Sequence, residues 1–367
     1  MADPRVETVA KILVDYSVKV RPNQLVRISG DPEGTPLILA VYQRVLERGA
    51  HPFLQVGLGE AEELLYTYAS DAQLDYLPRF RKDMIEQIDA SVGIWTDVNT
   101  KRLTNADPGK QSRRAAAMRP LTDRFLERAA KKELRWTGTV YPTQAFAQDA
   151  EMSLRELEDF IYKACLVHEP DPIKAWRKIS KEQQRVVDWL NKARQIHVVG
   201  PDTDLKLEVT GRKWINCDGH ENFPDGEIFT GPIERSVNGH IRYTYPACDY
   251  GREVEDVRLW FKDGKAVKAT AAKNEEFLLK MLETDKGARY VGEFSFGTNP
   301  GIQRFTKNIL FDEKIGGTIH LALGKGYPET RSKNQSAIHW DMVCDLRQGG
   351  EVHVDGTLFL KDGKILI

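Results

Sequence analysis

Two histidines, an aspartate and a tyrosine crowd the segments Gly317–Tyr327 and Ile338–Asp341, which otherwise read as apolar strand and glycine loop. His320 stands between Ile319 and Leu321, Gly324-Lys325-Gly326 leads into Tyr327, and His339 and Asp341 are two residues apart. Glu227, Glu293 and Glu313 lie upstream in the same half of the chain. Imidazole and carboxylate together are the ligand set of zinc, manganese or cobalt. Three glutamates, two histidines and one aspartate make six donors, the number that a pair of divalent ions needs.

Each of these residues also has a plainer reading. Side chains two apart on a strand share a face, so His339 and Asp341 could reach one ion or merely decorate a half-buried strand. His320, between apolar neighbours, suits a hydrogen-bonded core residue as well as a ligand. Tyr327, presented by a glycine turn, could donate to a developing oxyanion or cap a loop before Pro328. Glu293 and Glu313 fit exposed structural carboxylates, with Lys314 an available partner for Asp312 and Glu313, and Glu227 fits a strand edge after Pro224-Asp225-Gly226. Cys217 and Cys344 read as small buried apolar residues.

The 367 residues suffice for two domains, each with a substantial core. Charged residues make up 29% of the chain, yet the net charge is −1, without the clustered basic excess that nucleic acid or an acidic membrane selects. The run Lys174–Arg185 is broken by Glu182 and apolar residues and reads as a solvated helix face. Four scattered cysteines with no CxxC pair argue against a thiolate zinc site and fit a reducing compartment. No apolar run approaches the roughly 18 residues of a membrane span, and Met1-Ala2-Asp3-Pro4 lacks a signal-type apolar region. A cytoplasmic protein with no nucleic-acid or membrane partner is expected. Patterns for a phosphate loop, a nucleophile elbow, an HExxH helix or a dinucleotide turn are missing, and Gly57-Leu58-Gly59 is too short to count.

The elements that must position these residues fall into two halves. Residues 5–17 read as an amphipathic helix, followed by strand Gln24–Ser29, helix Pro36–Arg48 and strand Phe53–Val56. Next come a helical stretch Asp71–Ile88 that Pro78 kinks or splits, strand Ser91–Thr96, helix Leu121–Ala130 and strand Leu134–Thr139. Such alternation predicts an N-terminal α/β domain, residues 1–190, with a largely parallel sheet. Helices Ser153–Val167 and Asp171–Ala193 close that half. Beyond it, short strands dominate: His197–Val199, Leu205–Val209, Ile241–Tyr245, Glu253–Phe261 and Ala266–Ala269, with one helix at Asn274–Leu282. Asp263-Gly264 and Asp362-Gly363 read as hairpin turns. Residues 191–367 are therefore expected to form an α+β domain with a mostly antiparallel sheet.

Four blocks carry a more specific likeness: NFPDGEIFTGP (222–232), GEFSFGTNP (292–300), ILFDEKIGGTIHLALGKGY (309–327) and SAIHWDMV (336–343). With Val18–Val26, Arg48–Pro52, Tyr141–Thr143 and Ala150–Ser153, they make nearly the whole chain resemble the thermophilic metallo-aminopeptidases, enzymes similar to aminopeptidase T and aminopeptidase S. The resemblance implies an exopeptidase acting on peptides with a free N-terminus through two divalent ions, zinc, cobalt or manganese. It implies metal ligands Glu227, Glu293, Glu313, His320, His339 and Asp341 in a C-terminal catalytic domain, and a homodimer enclosing its active sites. Tyr327 would be the active-site tyrosine, and Glu227 or Glu293 would take and return a proton. One rival shares the scaffold: iron-dependent ring-cleaving dioxygenases similar to this family, for which His320, His339 and Asp341 would be the two-histidine, one-carboxylate set. A non-catalytic binding protein is the other alternative.

Overall fold

The computed structural model describes residues 3–249 and 251–367. Chain contacts divide it into two compact units, Met1–Ile173 with Gly219–Pro224, and Lys174–Asp218 with Asp225–Ile367.

In the first unit five strands pair in the order His51–Val56, Leu25–Gly30, Ala90–Trp95, Arg135–Val140 and Asn222–Phe223, every pairing parallel. Parallel neighbours need helical crossovers. One is Thr35–Glu47, whose Leu37, Ile38, Val41 and Val45 form a buried stripe at helical spacing. The stretch 71–88 does split around Pro78, into Asp71–Asp75 and Arg79–Gln87, the former opened by a Ser70/Gln73 capping box. Helix Leu121–Ala130 proves to be the end of a longer helix, Pro108–Ala130, capped by Asp107 and carrying Pro120 inside it. Only Arg128 of that helix is buried, so no apolar stripe marks its first half in the sequence.

The second unit is antiparallel throughout its named sheets. Eight strands, from Lys265–Thr270 at one edge to Lys364–Ile365 at the other, form one sheet, and five form the second. Both expected hairpins are present, with positive φ at Asp263, Gly264, Asp362 and Gly363. The stretch expected as one strand, Glu253–Phe261, is two: Arg252–Val254 and Arg258–Lys262, interrupted by Asp256 at φ 52. Helix Pro172–Leu190 contributes Val186, Val187 and Leu190 to this unit's core, which is why the contact division falls in its first turn rather than at its end.

The five-stranded sheet orders His339–Asp345, Thr318–Gly324, Val291–Gly297, Glu227–Thr230 and Ile215–Cys217. Its two faces differ sharply. Ile228, Phe294, Phe296, Ile319, Leu321, Leu323, Trp340 and Met342 enter the hydrophobic core, each fully buried one contributing roughly 1.5–3 kcal/mol. Alternation along a strand sends the residues between them to the opposite face. Those residues are Glu227, Glu293, Ser295, His320, Ala322 and Asp341.

Candidate metal centre

The sheet register builds the cluster. Ser295 pairs with His320 and Gly297 with Glu227. Ala322 is flanked by Glu293 on one side and Asp341 on the other, and Gly324 pairs with His339. Small residues thus alternate with ligating ones on this face and leave room between them. Glu293 reaches it through a bulge between Val291 and Glu293 that holds Gly292 as an extra residue. Val291 is therefore in the core with Leu323 opposite it, while Glu293, two residues on, points the other way. A Cβ at position 292 would meet the carbonyl oxygens of Gly324 and Lys325, each at 2.4 Å, so the bulge is made by glycine.

All six expected donors come together. Ligand atoms of Glu227, Glu293 and His320 lie within 4.8 Å of one another, as do those of Glu293, His339 and Asp341, and those of Glu313, His320 and Asp341. Glu293 belongs to two of these groups: Oε1 lies 3.1 Å from His320 Nε2 and Oε2 lies 3.6 Å from His339 Nε2. Glu227 Oε2 is 3.3 Å from His320 Nε2 and accepts from the Ser295 hydroxyl at 3.2 Å. His339 Nε2 stands 3.5 Å from Asp341 Oδ2. Tyr327 packs edge-on against His339, ring centroids 4.9 Å apart, and against Phe229 at 5.5 Å. Its loop is pinned where the main-chain oxygen of Tyr327 accepts from the Thr330 hydroxyl at 2.6 Å.

The donor chemistry fits a divalent ion. His320 Nδ1 donates to the carbonyl of Glu313 at 3.0 Å, and His339 Nδ1 to the carbonyl of Lys325 at 2.7 Å. Both rings thereby aim Nε2 at the carboxylates, the orientation of metal-ligating histidines. Asp341 Oδ1 is buried with no hydrogen-bond partner, a costly state for a carboxylate oxygen unless a cation meets it. Burial pushes the Glu227 and Glu293 carboxyls above their usual range, against the pull of His320 and, for Glu227, of Lys314. Burial also opposes charge on His320, yet the Glu293 hydrogen bond and the charges of Glu227 and Asp341 raise it to about 10. A cluster that holds a proton so firmly is one that attracts positive charge. Although Tyr327 is 38% exposed, desolvation of its phenol and then the carboxylates of Glu293 and Asp341 raise it above its usual range, so it stays a hydrogen-bond donor.

Three residues at the site were not read from the sequence as part of the ligand cluster. Lys314 is fully buried and contacts Glu313, with Nζ 3.7 Å from Glu227 Oε1 and 3.9 Å from Asp225 Oδ1. Asp225 is buried, its own Gly226 N–H donating to Oδ1 at 3.0 Å. Cys217 joins Asp225 and Glu227 in a fourth group of possible ligands, on a strand whose Cys217 pairs with Glu227. In the sequence these residues sit in a Pro-Asp-Gly turn, an Asp-Glu-Lys run and a lone cysteine, patterns that usually face solvent or carry no chemistry. Their signal is tertiary.

Carboxylates and imidazoles gathered on the buried face of an antiparallel sheet are the donor set of a divalent-metal enzyme. The family model for thermophilic metalloprotease (M29) matches residues 2–365, and the chain belongs to that family. It is 26% identical over 395 residues to aminopeptidase 2 of Geobacillus stearothermophilus, covering 97% of this chain and 94% of that one. Wild-type AmpT from Thermus thermophilus superposes with a TM-score of 0.87 at 24% identity, covering 99% of both chains. The 2,5-dihydroxypyridine dioxygenase from Pseudomonas putida KT2440 shares the fold, with a TM-score of 0.59 and 12% identity over 98% of this chain and 96% of that one. The fold is the mixed one expected, parallel in the first unit and antiparallel in the second. Among the described residues no helix is long and apolar enough to cross a membrane.

Proposed function

We propose that this metalloprotease is an aminopeptidase that releases N-terminal residues from peptides at the cluster on its second unit, the C-terminal catalytic domain. The single observation that carries the reading is the convergence of Glu227, Glu293, His320, His339 and Asp341, from one sheet, with Glu313, from the end of helix Ile309–Asp312. Asp225, Glu227, Glu293, Glu313 and Asp341 carry five formal negative charges against the one positive charge of Lys314. With neutral imidazoles, the excess of four is what two divalent ions, zinc, cobalt or manganese, would balance. The relative from Geobacillus stearothermophilus, matched along nearly the whole chain, is named an aminopeptidase, and the three glutamates exceed what a two-histidine, one-carboxylate iron site uses.

When bound, such ions would lower the pKa of water toward neutrality and polarise a peptide carbonyl. His320 and His339 would hold them through Nε2, and Glu293, with one oxygen toward each ring, would be the shared ligand. Glu227 then takes the proton-carrying role: Ser295 steadies Oε2, and its second oxygen lies on the Lys314 side. Tyr327 keeps its proton and donates it in a hydrogen bond to the developing oxyanion.

Two further features of the reading have their own supports. Phe53, Leu54 and Val56 are exposed on the edge strand His51–Val56, which suits an interface between two copies. Cys217 and Cys344 are free thiols, which suits a cytoplasmic, reducing setting.

The test is metal-stripped protein reconstituted with Co, Mn, Zn or Fe and offered a leucine-led peptide beside its N-acetylated twin. Metal-dependent release of leucine from the free peptide alone is the expected result. No hydrolysis with any ion, together with oxygen uptake on Fe(II) and a dihydroxypyridine, would replace the peptidase by the dioxygenase.

A further inference from the structure

One buried cation at the centre has entered the mechanism above only as a charge beside Glu227. Lys314 is 0% exposed, and its ammonium is enclosed by three carboxylates: Glu313, in contact with it, Glu227 at 3.7 Å and Asp225 at 3.9 Å. Two of the three, Asp225 and Glu227, also belong with Cys217 to a group whose possible ligand atoms lie within 4.8 Å of one another. Thiolate with two carboxylates is a set that zinc or cobalt accepts. A buried carboxylate needs a matched positive charge, and here the protein itself provides it.

We propose that Lys314 is a built-in cation of the centre, a positioning residue whose ammonium fills the place that a further divalent ion would take between Asp225, Glu227 and Glu313. The inference rests on the metal-centre reading above. In this role Lys314 does three things. It balances Asp225 and Glu313, which would otherwise repel Glu227. It holds Glu227 Oε1 on one side, so that Oε2 faces His320 and Ser295. It caps the number of ions the cluster accepts, leaving the Cys217 thiol unligated.

The geometry of the surroundings supports a rigid seat. The side-chain amide of Asn299 donates to the Asp225 carbonyl at 2.6 Å, and that of Gln183 to the Glu227 carbonyl at 3.1 Å. Gln183 is itself buried and donates also to the carbonyl of Cys217 at 3.0 Å. The backbones carrying Cys217, Asp225 and Glu227 are thus fixed from behind, and a change of cation at position 314 should leave them in place.

The experiment compares the wild-type chain, Lys314→Met, and Lys314→Met combined with Cys217→Ser, all stripped by chelator and titrated with Co(II). Bound metal is counted by elemental analysis after gel filtration, and the near-ultraviolet thiolate-to-cobalt charge-transfer band is read in parallel. The expected result is no thiolate band in the wild type, one additional cobalt with a thiolate band in Lys314→Met, and loss of both gains in the double variant. Soluble Lys314→Met that appears only when cobalt is supplied during folding gives the same answer. Wild-type stoichiometry without a band in Lys314→Met overturns the proposal. So does a Lys314→Met chain that stays insoluble at every cobalt concentration, because a divalent ion must be able to replace the ammonium. A wild-type chain that binds one ion instead of two refutes the two-ion reading, yet the difference between wild type and variant still decides the role of Lys314.

Discussion

His320 turns its Nδ1–H to the main-chain carbonyl of Glu313, 3.0 Å away. A residue expected to contribute an acidic side chain therefore also sets a histidine's tautomer through its backbone, and no substitution of the Glu313 side chain removes that bond. Fully buried and aimed by this contact, His320 should be essential for metal uptake. A ligand at about one hundred times its Kd stabilises a native state by about 2.7 kcal/mol, so wild-type protein should melt measurably higher with saturating Co(II). His320→Gln should lose that increment. An undiminished metal-dependent rise in Tm in the variant would remove His320 from the ligand set.

Tyr327→Phe should bind metal normally and lose mainly kcat. Removing one oxyanion donor typically costs about 2.7–4 kcal/mol in the transition state, or roughly 10²–10³ in kcat. Steady-state kinetics beside metal analysis test this. A large rise in KM at constant kcat would assign the tyrosine to substrate binding instead.

Ala322 lies between Glu293 and Asp341 on the site face and is fully buried. Its methyl group keeps the middle of the cluster open. Ala322→Leu should fill that space, costing about 1–3 kcal/mol of stability by overpacking and abolishing most metal uptake. The decisive measurement is metal stoichiometry on folded variant. Normal uptake would mean that the ions sit elsewhere.

Asp285 offers a pH-dependent test away from the centre. Its carboxylate accepts from Gly287 N–H at 2.8 Å, Ala288 N–H at 3.0 Å, Ala337 N–H at 2.6 Å and the Ser336 hydroxyl at 2.9 Å. Burial works to raise its pKa, but these donors outweigh burial and hold it below the usual range. A depressed native pKa means that the unfolded state binds the proton more readily, so the stabilisation is complete above the unfolded value of about 3.9 and fades as pH falls through the native one. Asp285→Asn should therefore cost roughly 1–3 kcal/mol near neutrality and progressively less below about pH 4. Urea unfolding at several pH values checks this, and a gap that widens on acidification would reverse the sign.

Much of the site was legible because its strands carry strong local signals. Alternating apolar residues around His320, with glycines at both ends, mark a strand, and the His339-Trp340-Asp341 spacing puts two donors on one face. Glu293 was harder: strict alternation from Val291 would have sent both residues the same way, and only the bulge at Gly292 separates them. Lys314 was legible only as a partner for Glu313, a contact it does make, and its place beside Asp225 and Glu227 was not, since burial of an Asp-Glu-Lys run depends on partners from distant strands. The first unit shows the same limit. Pro78 announced its break, whereas residues 108–120 form helix with few buried side chains and hence no apolar period to read.

The bulge at Gly292 lets the strand Val291–Gly297 carry one residue more than its two faces use. Deleting that one glycine would restore unbroken alternation with Val291 still in the oil and Glu293 still beside the charged cluster, whereas pairing Gly292 as an ordinary ladder residue would bring Val291 out of the oil. The strand thus tolerates the loss of its extra residue in a way that it would not tolerate losing the fold-out that hides it: flattened with all its residues kept, that end would turn inside out.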